Sequence, residues 1–270
     1  MKISIYTSLY LVNENKFDFW KKSLLNFSQF ADEVIIGTCH DGLRDGTMDV
    51  INQWAEENNV TNVFLHSTKN INFGQISFDG ALKNLALQET QNPVKIQMDA
   101  DEIFPLSQKG LWLEFIDSFM ASSYEAAFIP TLDLWGDEKV IRSDKNIGIK
   151  ARIHKKGLYR GVNPAAWLPN GKFKTELSDS TELLTKNGEF PFSLRYPYDW
   201  AFYRPENVGQ LKDYPYTLHY GFVNLAKKAD LGKVWWKQKW EERSGKEENV
   251  AVEENELLGF PTIEHNLTIS

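Results

Sequence analysis

The chain has 270 residues, 42% of them hydrophobic and 13% aromatic, which supplies a sizeable core and excludes a disordered chain. A formal charge of −7 argues against a general nucleic-acid binder, because phosphate neutralisation dominates that affinity. The lone cysteine, Cys39, excludes an intramolecular disulfide framework, and the alternating N-terminus does not read as a secretory signal, so a cytoplasmic protein without a membrane span is expected.

Residues 3–9 alternate as a first strand, and Phe17, Trp20, Leu24 and Phe27 then recur at helical spacing. Val34-Ile35-Ile36 is a short apolar run typical of a buried parallel strand. Asp41-Gly42 and Asp45-Gly46 punctuate the following loop, and Asp45, ahead of a helical pattern, reads first as an N-cap. Met48, Ile51, Trp54 and Ala55 predict a second helix, residues 63–65 a third strand, and Phe78, Leu82, Leu85 and Ala86 a third helix closed by Pro93. Alternation of this kind predicts a mostly parallel sheet with right-handed crossovers, flanked by helices.

The fourth strand, residues 94–98, runs straight into Asp99-Ala100-Asp101-Glu102. Crowded carboxylates raise the energy of the ionised form unless a positive charge sits among them. A hard divalent cation, Mg²⁺ or Mn²⁺, answers that requirement with oxygen ligands. The carboxyl ends of strands are also where open α/β sheets bind nucleotides. A polar turn closing a strand is the plainer reading of the same four residues.

After residue 105 the pattern changes. Trp112, Phe115, Ile116, Phe119 and Met120 predict an amphipathic helix, residues 126–135 a strand, and residues 136–220 strands and loops rich in Gly, Pro, Asn and aromatics. A last helix is expected from Asn224 to about Arg243, followed by an acidic tail. With no repeat and no linker, the chain reads as one domain: 1–105, 106–243 and a tail of 244–270.

Four pieces in register resemble the nucleotide-binding half of family 2 glycosyltransferases with the A-type fold. They are the opening strand leading to Asn13-Glu14, the stretch from Asp32-Glu33 to Asp41-Gly42-Leu43-Arg44-Asp45-Gly46-Thr47, the helix with Gly80-Ala81-Leu82-Lys83-Asn84, and Gln97-Met98-Asp99-Ala100-Asp101-Glu102, which is similar to the family's Asp-X-Asp motif. The resemblance implies a nucleotide-diphosphate sugar as donor and a metal that offsets charge on the leaving diphosphate. It implies Asp101 as direct metal ligand, Asp99 at the ribose, a metal-bound water or the metal, Asp41 at the base or ribose, and Thr7 and Leu9 flanking the base. Lys83 stands where the family has Arg and could approach a phosphate or lie solvated on its helix. Glu102 is a ligand, an acceptor contact or an exposed acid.

In the second half, His219 in Tyr216-Thr-Leu-His-Tyr-Gly-Phe-Val223 resembles the histidine that completes the metal site in some A-type relatives. An inverting transfer needs a carboxylate to deprotonate the acceptor. The acidic pairs that supply it in relatives are missing, so Asp199, Asp133 and Asp179 are the candidates. Trp167 and residues 196–203 offer flat faces for sugar rings or cover for the sheet edge. Lys150-Ala-Arg-Ile-His-Lys-Lys156 with Arg160 forms the main basic patch, and residues 234–240 interleave Trp with Lys. Together they keep modified DNA open as an acceptor beside a glycan or lipid-linked saccharide. A sugar-phosphate nucleotidyltransferase would want a Gly-rich loop after the first strand, and residues 7–15 contain no glycine. A non-catalytic carbohydrate-binding protein on the same fold is the third reading.

Overall fold

A computed structural model describes residues 1–10, 12, 18–39, 46–68, 78–121, 126–142, 148–154, 194–195, 215–226 and 262–264. Strand β1 (Ile3–Ser8), helix α1 (Phe19–Phe30), β2 (Glu33–Cys39), α2 (Thr47–Glu57), β3 (Val63–Thr68), α3 (Phe78–Glu89) and β4 (Val94–Gln97) follow the alternation the sequence predicts. A two-residue strand β5 (Glu102–Ile103) comes next, then α4 (Lys109–Ala121), β6 (Ala126–Trp135), β7 (Val140–Arg142), β8 (Gly148–His154), β9 (Leu194–Arg195), β10 (Thr217–Phe222) and β11 (Thr262–Glu264). The start of α2 puts Gly46, not Asp45, in the cap position, and Asp45 lies outside the described residues. So does nearly all of the helix expected over 224–243. Among the described residues no helix is long and apolar enough to cross a membrane.

The strand order β3-β2-β1-β4 is parallel throughout. Beyond β4 the sheet turns antiparallel through β8 and β6, while β10 lies between β5 and β6. The chain winds outward from β1 to β3 and then jumps back past β1 to β4. Right-handed crossovers therefore put α3 on the face opposite α1 and α2. The packing agrees: Ile3, Ile5, Val34 and Ile36 share a core with Trp20, Leu24, Phe27, Ile51 and Trp54, whereas Tyr6 and Ile35 pack on Ala86 and Leu87 of α3. Gly37 permits that second contact, since a Cβ there would fall 1.9 Å from the carbonyl oxygen of Leu82. The winding reverses between β1 and β4, and the carboxyl ends of the strands at such a switch point are where open α/β sheets bind ligands.

The segment after β5 is anchored from below. Phe104 stacks on Phe30 with ring centroids 4.1 Å apart and meets Trp112 edge-on at 4.8 Å. Asn26 of α1 binds both main-chain groups of Phe104, donating to its carbonyl and accepting from its N–H, each at 2.8 Å. Asn26→Ala orphans two buried backbone groups and is expected to cost about 2–4 kcal/mol. The check is a lower denaturant midpoint at unchanged m-value.

Candidate active site

The acidic turn lies at that switch point. Met98 still donates to the Tyr6 carbonyl at 3.1 Å, extending the β1–β4 ladder, and the chain then turns, with the Glu102 N–H donating to the Asp99 carbonyl at 3.0 Å. Glu102 pairs in register with His219 of β10, whose other neighbour, on β6, is Asp133. Residues far apart in the chain thus share one rim.

Three of the sequence candidates meet there. His219 Nε2 lies 3.1 Å from Asp101 Oδ2, and His219 Nδ1 lies 2.7 Å from Asp133 Oδ1. Burial alone pulls the imidazolium down, but the charges and hydrogen bonds of Asp101 and Asp133 outweigh that and push its pKa up to about 9. A folded value above the unfolded one stabilises the protonated, metal-free fold below about pH 6.5, and this contribution is lost as pH rises through about 9. In EDTA, chemical denaturation is expected to show up to about 3 kcal/mol of such loss between pH 6 and 10, absent in His219→Gln.

Gly221, two residues beyond His219 on the same strand face, borders the pair. A Cβ at Gly221 would sit 2.5 Å from His219 Nε2 and 3.1 Å from Asp101 Oδ2. The chain therefore leaves room beside the carboxylate and the imidazole where any other residue would intrude.

Asp99 is differently placed. Its Oδ1 is ion-paired with Lys83 of α3 and accepts from Gln97 Nε2 at 3.0 Å, and its Oδ2 faces Arg152 Nη1 at 3.9 Å. Lys83 is buried and not a solvated helix-face lysine. Glu102 is not an exposed acid: it is fully buried and ion-paired with Arg152. Arg152, a member of the basic patch read from the sequence, is also fully buried. The alternation of β8 puts it on the face opposite Ile153, against Gln97 and Glu102, a placement legible only once β8 is known to lie between β4 and β6.

Thr7 and Leu9 are buried, and by alternation they share the face of Ile3 and Ile5, so a contact of either with a base would come from the main chain. Asp41, Asp179, Asp199, Trp167 and most of the basic and aromatic stretches lie outside the described residues.

Among the described residues no three His, Cys, Asp or Glu side chains converge to hold a metal ion by themselves. The protein offers a carboxylate and an imidazole, and a hard cation that takes its other ligands from phosphate oxygens and water needs no more. Asp133 at Nδ1 leaves Nε2 as the ligating atom, the arrangement that orients metal-binding histidines. The donor set fits a divalent ion on these grounds.

No family model matches the chain, and no curated protein does. Among solved structures it is similar to Staphylococcus aureus TarS residues 1–349 in complex with UDP (17% identity, 50% of this chain, 36% of that one, TM-score 0.35). It is similar to the mannosyltransferase PcManGT of Pyrobaculum calidifontis in complex with GDP-Man and Mn²⁺ (18%, 47%, 34%, TM-score 0.35). A proposed glucose-1-phosphate thymidylyltransferase of Bacillus anthracis is matched at 13% identity over 58% of this chain and 65% of that one, with a TM-score of 0.33. The chain spans about a third of the length of the first two, and likenesses at these scores decide nothing about activity.

Proposed function

We propose that the protein is a metal-dependent glycosyltransferase that moves a sugar from a nucleotide-diphosphate sugar to an acceptor hydroxyl. The observation that carries this reading is the meeting of Asp101 with His219 at the carboxyl end of β4, with Asp133 behind the ring. Asp101 and His219 would hold Mn²⁺ or Mg²⁺. The ion, when bound, supplies Lewis-acid neutralisation of the charge that grows on the leaving diphosphate.

The chain's own groups divide the remaining work. Asp133 keeps a proton on Nδ1 and fixes the ring, so its engagement with His219 favours an orienting role over that of catalytic base. Lys83 holds Asp99 against the β4 end, where the Asp99 carboxylate can accept from ribose hydroxyls. In the transfer, the bond from the anomeric carbon to the phosphate oxygen breaks, a bond to the acceptor oxygen forms, and the acceptor proton passes to a carboxylate. Asp199 and Asp179 are the proposed bases, with inversion as the expected outcome.

The test is thermal stabilisation by a panel of nucleoside diphosphates with Mn²⁺ or with EDTA. A ligand that binds the folded state raises its melting temperature by mass action. Stabilisation by one diphosphate in Mn²⁺ alone is expected. A panel that stabilises nothing, or does so equally in EDTA, overturns the reading. Release of pyrophosphate, not a nucleoside diphosphate, from an activated sugar would identify a nucleotidyltransferase instead.

A further inference from the structure

We infer that Arg152 and Glu102 form a buried lock that positions the Asp99–Asp101 turn against the strand of His219. Both side chains are fully buried, so neither serves as a surface contact for an anionic acceptor. The Arg152 fork is spread over three neighbours besides Asp99. Nη2 is ion-paired with Glu102 Oε1 and lies 3.4 Å from Thr131 Oγ1, and Nη1 donates to the carbonyl and to Oε1 of Gln97, both at 3.2 Å.

Each partner passes the constraint on. Glu102 Oε2 accepts the Asp99 main-chain N–H at 3.1 Å, which closes the turn from its far side. With Gln97 Oε1 held by Arg152, the same amide presents Nε2 to Asp99 Oδ1 at 3.0 Å. Glu102 also lies opposite His219 in the β5–β10 ladder, and the Tyr220 N–H donates to the Asp101 carbonyl at 2.7 Å. One guanidinium therefore reaches the main chain of the acidic turn, the Asp99 carboxylate and, through Glu102, the strand that carries His219.

Stability alone does not require such a pair. Well-packed apolar residues of similar volume are often as stable as a buried ion pair, whereas removal of one partner strands a charge. An apolar pair would fill the space but leave the Asp99 N–H and the Gln97 amide without these partners. Lysine, a point charge, cannot serve Glu102 and Gln97 together as the planar fork does. Arg152 and Glu102 are thus positioning residues. Their consequence for chemistry rests on the metal-site reading above; the positioning itself does not.

The double variant Arg152→Met/Glu102→Leu removes both charges together and tests this by hydrogen exchange resolved to single amides. The Asp99 and Tyr220 amides are expected to exchange at least about tenfold faster than in the parent, with Tyr6 and Ile35 of the parallel strands unchanged. Arg152→Lys, which keeps a cation for Glu102, is expected to fold and to speed the Tyr220 amide to a smaller degree. Parental protection at Tyr220 in both variants, or uniform acceleration across the sheet, overturns the inference. Mn²⁺ titration in the presence of the stabilising nucleoside diphosphate separates the two claims. A parent that binds no Mn²⁺ while the exchange pattern holds removes the transferase reading and leaves the lock standing. A double variant that binds Mn²⁺ as tightly as the parent removes the lock from the site.

Discussion

Asp101→Asn is expected to lower kcat/KM for donor turnover by about a thousand-fold, roughly 4 kcal/mol of transition-state stabilisation, with a cooperative thermal transition retained. The substitution keeps the shape of the side chain and removes its charge. Asp101 is the most open of the rim carboxylates, 39% exposed against 19% for both Asp99 and Asp133, and its partner His219, 16% exposed, retains a second carboxylate. His219 keeps Asp133 on Nδ1 and with it the ring orientation. What is lost is the charged oxygen beside Nε2 that the proposed metal site would use. Nucleoside diphosphate release at saturating Mn²⁺, measured beside a melting curve, checks both halves. Full turnover by the variant would remove Asp101 from the chemistry.

Gly221→Ala is expected to damage the same site from the opposite direction, by adding one carbon. The new Cβ would lie 2.5 Å from His219 Nε2 and 2.7 Å from Cε1, well inside contact distance. The neighbours are tips of side chains, so the ring swings away and the backbone stays. A displacement of this size in a group that must meet a ligand typically costs about a hundred-fold in rate. Mn²⁺ affinity in the presence of the nucleoside diphosphate should fall at least about tenfold, with the denaturant midpoint little changed. Gly37 marks the contrast: there the obstacle is the Leu82 main chain, which no side-chain rotation relieves. A Gly221→Ala protein with lowered stability and parental Mn²⁺ affinity would show that the glycine serves packing alone.

The two predictions lean unequally on the sequence. Asp101 was legible because three carboxylates at the end of a strand are a local anomaly, and His219 because its neighbours resemble a known arrangement. Gly221 carries no such signal, since its role depends on the His219 ring of its own strand and on Asp101 arriving beside it from the acidic turn. Asp133 read only as a candidate base, and the parallel register of β6 with β10, which no local pattern contains, sets it beside His219.

Hydrophobic periodicity determined the α/β alternation, the elements from β1 to β4, helix α4 and the place of the acidic turn, but not the short β5, because those signals reside within one helix face or one strand. Tertiary structure decided the fate of the charges. Lys83, Glu102 and Arg152 look like surface residues in any window of sequence. They are buried because strand order and α3 packing bring each an opposite charge from a distant segment. Burial of an ion depends on its partner, and that partner is set by sheet register, which no local pattern contains.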